Sequence, residues 1–208
     1  MTAIVLGAGG HAAVVVEILL ANRIDLVGLI DPSYDPVRAR DLFGVPLVGA
    51  DDLLPQLKAK GVDSAFIAVG DNALRRRLGT LAQSQGLRLL NAIHPMAIVS
   101  PSAEIGSGVA IMATGVVNAR TRIGDGVIVN TGASVDHDCR IGAWSHLAPG
   151  SRLGGSVSCG ERVFVGIGAS VIPGISLGDG VTIGAGAAVV SDVAAGATVV
   201  GVPARPRP

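Results

Sequence analysis

Aromatic residues are nearly missing from this 208-residue chain, which has three Phe, one Trp and one Tyr. Its core therefore has to be filled by aliphatic and small side chains. Charge is scarce too, at 15%, and 16 basic residues are balanced by 16 acidic ones. Nine of each sign precede residue 91 and seven of each follow it. Neither part carries the basic surface by which a protein neutralises nucleic-acid phosphates, so a nucleic-acid partner is not expected. Two cysteines, Cys139 and Cys159, make no disulfide framework. Mean hydropathy is high, at +0.57. Yet the most apolar early run, residues 12–21, is ten residues long and contains Glu17, whereas a spanning helix needs about 20. Met1-Thr2-Ala3-Ile4 leads straight into an apolar strand, without the basic flank and cleavage site of a signal peptide. A cytoplasmic protein without membrane insertion is expected.

Glycine is abundant, at 30 residues, about twice the usual share. The apolar pattern also changes character near residue 91, which predicts two domains, 1–91 and 92–208. In the first, short β-branched runs (3–6, 25–30, 65–69, 87–90) alternate with helix-like stretches (11–21, 51–60, 72–85). This rhythm predicts an α/β domain with a parallel sheet and right-handed crossovers. Gly7-Ala8-Gly9-Gly10-His11-Ala12 follows a strand and opens a helix, and Asp31 ends the second strand. Glycines there let the backbone approach a pyrophosphate at the positive end of the helix, and an acid binds ribose hydroxyls. Alone, that motif suits a Rossmann-like NAD enzyme, but the domain is half-sized and no second dehydrogenase domain follows. Arg75-Arg76-Arg77 reads as a solvated helix face, and Asn72 is placed to cap its helix. His94-Pro95 reads as a structural junction.

From Ile93 to Val189 the period is six without a slip. Every sixth residue is Ile, Val or Leu, with Cys159 the one exception. Four residues on from each lies mostly a small or β-branched residue, and glycine often follows the aliphatic one, as in Ile123-Gly124 and Ile141-Gly142. A six-residue unit of one short strand and one turn cannot bury its aliphatic residue alone. Stacked coils bury all of them in one column, with glycines at the tight corners. Polar residues are kept out of that column by the hydrogen bonds they would lose.

Two of the four histidines fall in one stretch, Asp136-His137-Asp138-Cys139 through His146. Neither holds the inward aliphatic position, so both are expected at the surface of the prism. A carboxylate bonded to one imidazole nitrogen fixes the tautomer and raises the basicity of the other. Cys139 and Cys159 read as packing residues. Three converging histidines are lacking in this region, so a zinc site is not expected.

The repeat resembles that of the hexapeptide-repeat acyltransferases. That resemblance implies a left-handed parallel β-helix of three hexapeptides per coil, about six coils here. Asp136-His137-Asp138-Cys139 with Ile141-Gly142, His146, Pro149-Gly150 and Leu153-Gly154-Gly155 is similar to the subgroup acting on bacterial sialic acids or nucleotide-linked amino sugars of the bacillosamine and perosamine type. It implies an acetyl-CoA-dependent N-acetyltransferase, with sugar O-acetylation as the alternative and a non-catalytic dinucleotide-binding scaffold as a remoter one. By the same resemblance His137 is the general base, Asp138 orients it, and His146, Gly155, Ile167 and Ala185 contact acetyl-CoA. Asp136 is a weaker catalytic candidate, and Arg205 or Arg207 are weak candidates for CoA phosphates. Gly9, Gly10, His11, Asp31, Gly70, Asp71 and Asn72 would bind the nucleotide of the sugar substrate. With eighteen residues per coil, His137 and His146 lie half a coil apart. A homotrimer with sites between subunits is therefore expected.

Overall fold

The computed structural model describes residues 2–38 and 40–207. The chain divides into two compact units after Pro95, four residues beyond the end of the first predicted domain.

The first unit is built on β1 (Thr2–Leu6), α1 (Gly10–Ala21), β2 (Asp25–Ile30), β3 (Asp41–Leu42), β4 (Val45–Gly49), α2 (Leu54–Ala59), β5 (Ser64–Ile67), α3 (Asn72–Ser84) and β6 (Arg88–Leu89). The strands form one sheet in the order β3-β4-β2-β1-β5-β6. All neighbours are parallel except the β3–β4 pair. Ala3, Ile4, Val5 and Leu6 of the central β1 are wholly buried, as a parallel strand covered on both faces requires. The β3–β4 hairpin is missing from the sequence expectation. Pro46 interrupts its short apolar run, and its turn at Phe43-Gly44 takes positive φ at both residues, without a strong turn dipeptide to announce it. The predicted helix over 51–60 starts as a 3₁₀ turn, Asp51–Leu53, before α2.

The second unit is a left-handed parallel β-helix. Two-residue strands lie eighteen positions apart on three faces. One face stacks 110–111, 128–129, 146–147, 164–165 and 182–183. A second stacks 98–99 to 188–189, and a third 104–105 to 176–177. Each coil bonds the next through its backbone: the N–H of Ile128 donates to Ser145 O (3.0 Å), and that of His146 to Val163 O (2.8 Å). Val117, Val135, Leu153 and Val171 are at most 3% exposed, so the six-residue column is the core. Small polar residues also point inward where they serve the backbone. Thr121 Oγ1 donates to Asp136 O (2.6 Å) and accepts from the Cys139 N–H (3.2 Å). Corner residues adopt the left-handed backbone conformation, including Arg120, Asp138 and Ser156, which stand at eighteen-residue spacing on successive coils.

Candidate active site

The turn after strand 134–135 carries His137. Its neighbours by the eighteen-residue period are Ala119 on one side and Gly155 on the other. With no side chain at 155, the imidazole lies directly over the glycine: a Cβ there would meet His137 Cε1 at 2.6 Å and Nε2 at 2.7 Å. The His137 side chain is 55% exposed. Its Nδ1 stands 2.8 Å from Asp138 Oδ2. The Arg120 guanidinium and the His137 ring hold the Asp138 carboxyl far below the usual carboxylate range, outweighing its slight desolvation. An ionised carboxylate only accepts, so Nδ1 carries the proton and the lone pair of the neutral ring sits on Nε2.

Arg120 grips both oxygens of Asp138, Nε donating to Oδ1 (2.6 Å) and one terminal nitrogen to Oδ2 (2.7 Å). Asp136 Oδ1 accepts from the His137 N–H (2.8 Å) and from Asn118 Nδ2 (3.0 Å). These two bonds lower its pKa. Asp136 thus braces the backbone of the turn rather than the ring. Behind it Cys139 is fully buried, its thiol 3.2 Å from Gly154 O. Burial pushes the Cys139 thiol up and takes Cys159 to about 12, so neither supplies a thiolate.

His146 departs from expectation. Only 9% exposed, it is covered in its own chain by its neighbours on one face, Ile128 and Phe164. The Phe164 ring meets it edge-on at 5.4 Å. Asn130 closes its other side. Asn130 Oδ1 accepts from the Thr131 N–H (2.8 Å), which turns Nδ2 towards His146 Nε2 at 3.0 Å. An amide can only donate there, so Nε2 accepts and Nδ1 bears the hydrogen of the neutral ring. Exposed Ile167 and Ala185 stack one coil apart, joined by the bond from Gly186 N–H to Ile167 O (2.8 Å). They occupy a different corner from His137 and Gly155. The structure therefore gathers His137, Asp138 and Gly155, and leaves His146, Ile167 and Ala185 apart from them within one chain.

In the first unit, Gly7 takes φ +113°, and a Cβ on it would strike Ala68 O at 2.7 Å. Only glycine allows the β1 end to press against the β5 end. Asp31 holds the loop: Oδ2 accepts from the Ala8 N–H (3.0 Å) and Oδ1 from the Ser33 N–H (2.9 Å). Desolvation would raise its pKa, but the Ser33 hydroxyl and these amides outweigh it and leave it lowered. Gly9 and Gly10 face open space at the start of α1.

Two further readings need correction. Arg75 is not a solvated residue. It is 1% exposed and donates to Val69 O (3.1 Å), Gly70 O (2.9 Å) and Asn72 Oδ1 (2.7 Å). The α3 cap is Asp71, whose Oδ1 accepts from the Leu74 N–H (2.7 Å), while Asn72 braces Arg75. Burial lowers Arg75 to about 10 against the pull of Asp71. Burial, then the Arg75 charge, lowers His11 to about 4. Gly70 and Asn72 thus bond one guanidinium, whose charge also acts on Asp71 and His11. Among the described residues, no group of three or more His, Cys, Asp or Glu side chains gathers as a metal would need.

Residues 2–80 match the family described as the PglD N-terminal domain, and residues 120–155 the bacterial transferase hexapeptide of six repeats. A histidine-to-alanine variant of GDP-perosamine N-acetyltransferase from Caulobacter crescentus, solved with CoA and GDP-perosamine, is 48% identical. It superposes with a TM-score of 0.95 over 100% of this chain and 97% of that one. The chain belongs to this N-acetyltransferase family. The acetyltransferase domain of PglB from Neisseria gonorrhoeae, solved with acetyl coenzyme A, is a further member. It is 41% identical, with a TM-score of 0.91 over 99% of this chain and 98% of that one. UDP-N-acetylbacillosamine N-acetyltransferase of Bacillus subtilis is 39% identical over 114 residues, 52% of this chain and 50% of that protein. The match to a mimivirus protein covers 19% of its length, so the curated relatives match over half their length or less. Around His137 and His146 the sequence reading missed Arg120 and Asn130. The period puts Arg120 one coil before Asp138, but it does not give the direction in which the side chain leaves its corner.

Proposed function

We propose that the chain transfers the acetyl group of acetyl-CoA to the amine of a nucleotide-linked amino sugar, with His137 as general base. One observation carries this reading: an exposed imidazole whose Nδ1 is committed to Asp138 and whose Nε2 lies open above a glycine backbone. Its relatives lend support, since they were solved with CoA and GDP-perosamine or with acetyl coenzyme A.

The chemistry follows from the donor. A thioester is already activated, so the main requirement is a neutral amine held against its carbonyl. The amine nitrogen attacks, and His137 Nε2 removes its proton as the N–C bond forms. Collapse of the tetrahedral intermediate breaks the C–S bond, and the proton passes to the CoA sulfur. Asp138 keeps the ring in the Nδ1–H tautomer and stabilises the imidazolium. Gly155 leaves room for the ring to lie over bare backbone, from which Nε2 meets the amine. His146, held by Asn130, contacts acetyl-CoA, and Ile167 and Ala185 line its arm. Gly9, Gly10, His11, Asp31, Gly70, Asp71 and Asn72 bind the nucleotide. The two groups of donor residues lie at different corners of one prism, so a homotrimer joins them across subunits. Use of acetyl-CoA puts the reaction in the cytoplasm.

His137→Ala tests the base. Turnover should fall by about 10²–10⁴-fold with an unchanged melting curve. Turnover within threefold of the parent would sink the assignment.

A further inference from the structure

We propose that Arg120 is a positioning residue of this site, its guanidinium fork fixing which oxygen of Asp138 accepts the hydrogen bond from His137 Nδ1–H. The inference rests on the reading of His137 as base. Arg120 and Asp138 occupy the same corner of successive coils, both in the left-handed conformation, at φ 57° and 62°. Their side chains therefore leave the prism side by side, at the spacing of neighbouring strands. The Arg120 backbone is itself pinned, its N–H donating to Ser102 Oγ (3.1 Å).

The geometry of the pair matters more than its stability. Arg120 is 67% exposed and Asp138 37%, and exposed ion pairs add little to folding. A fork on a carboxylate, however, fixes the carboxylate plane, which a single donor does not. Without Arg120 the Asp138 side chain is free to turn about its bond to the backbone and to bond local amides, as aspartates in turns do. Nδ1 would then lose the one acceptor that selects its tautomer. The other charged group at this turn, Asp136, already accepts from the His137 backbone N–H and from Asn118, so it does not take over. Arg120 touches neither donor nor acceptor substrate in this scheme. It acts only through Asp138.

Four variants of the full chain test this: Arg120→Met, Arg120→Lys, Asp138→Asn, and Arg120→Met combined with Asp138→Asn. Arg120→Met should lower kcat by about tenfold and leave the KM for acetyl-CoA within about twofold. Lysine, a point charge without the fork, should not restore the rate. The double variant should turn over no more slowly than Asp138→Asn alone, because a residue that acts through another adds nothing once that other is gone. Long-range ¹⁵N–¹H spectra should show His137 as one Nδ1–H tautomer in the parent and as a mixture in Arg120→Met. A parental kcat in Arg120→Met, full rescue by lysine, additive losses in the double variant, or an unchanged tautomer each overturns the proposal. If His137→Ala keeps full turnover, the base assignment fails on its own, and the tautomer spectrum still decides whether Arg120 orients the ring.

Discussion

Two glycines of the β-helix show how differently one residue type is used. Gly168 sits at a corner with φ +66° and open space around it, so it is there for its backbone. Gly155 has no such φ, yet a Cβ on it would press against the His137 ring, at 2.6 Å from Cε1. Gly155→Ala should therefore act on chemistry rather than on folding. The half-exposed imidazole is able to swing away, so stability should stay within about 1 kcal/mol of the parent. A base displaced by about 1 Å should cost about 10²-fold in kcat/KM. Steady-state kinetics beside a denaturant melt read both, and parental kinetics would refute the role given to Gly155. At this scale His137 and its acid neighbour were legible, because a polar pair on the wall of an apolar repeat stands out. Burial of His146 was not, since it depends on Phe164 eighteen residues on and on the orientation of Asn130.

Between elements, the first unit is tied together by polar groups at strand ends. Arg75, on the second turn of α3, reaches back to the carbonyls of Val69 and Gly70 beyond β5. Its charge helps to keep His11, at the start of α1, neutral down to about pH 4. An unfolded histidine titrates near 6.5, so between these values the unfolded chain binds a proton that the folded unit does not. The folded state is therefore favoured fully above pH 6.5 and loses that advantage as pH falls towards 4. From pH 7 to pH 5 the loss should be about 2 kcal/mol. Urea unfolding of parent and His11→Gln at both pH values measures it. The variant should lose correspondingly less, and equal losses would refute the account. Three consecutive arginines on a helical pattern looked like a solvated face, but periodicity alone does not say that one of them turns inward to collect carbonyls at a strand end.

For the whole molecule, the decisive spacing is eighteen residues. It brings His137, Asp138 and Gly155 to one corner and stacks Ile167 on Ala185 at another. Under the proposed function the site draws on both corners, and a second copy of the chain would complete it. Sedimentation should give three times the chain mass at working concentration, with activity lost on dilution to monomer. A fully active monomer would remove the intersubunit site.

By itself the sequence determined the β-helix, the α/β character of the first unit and the His137 turn. A six-residue period and a strand–helix rhythm are local consequences of which side chains must be buried, and they survive being read one residue at a time. Tertiary structure alone decided which polar side chains meet: Arg120 with Asp138, Asn130 with His146, Arg75 with the loop beyond β5. Such pairs depend on the coil that lies above or below and on the direction a side chain takes from its corner. Only the assembled stack sets those two quantities.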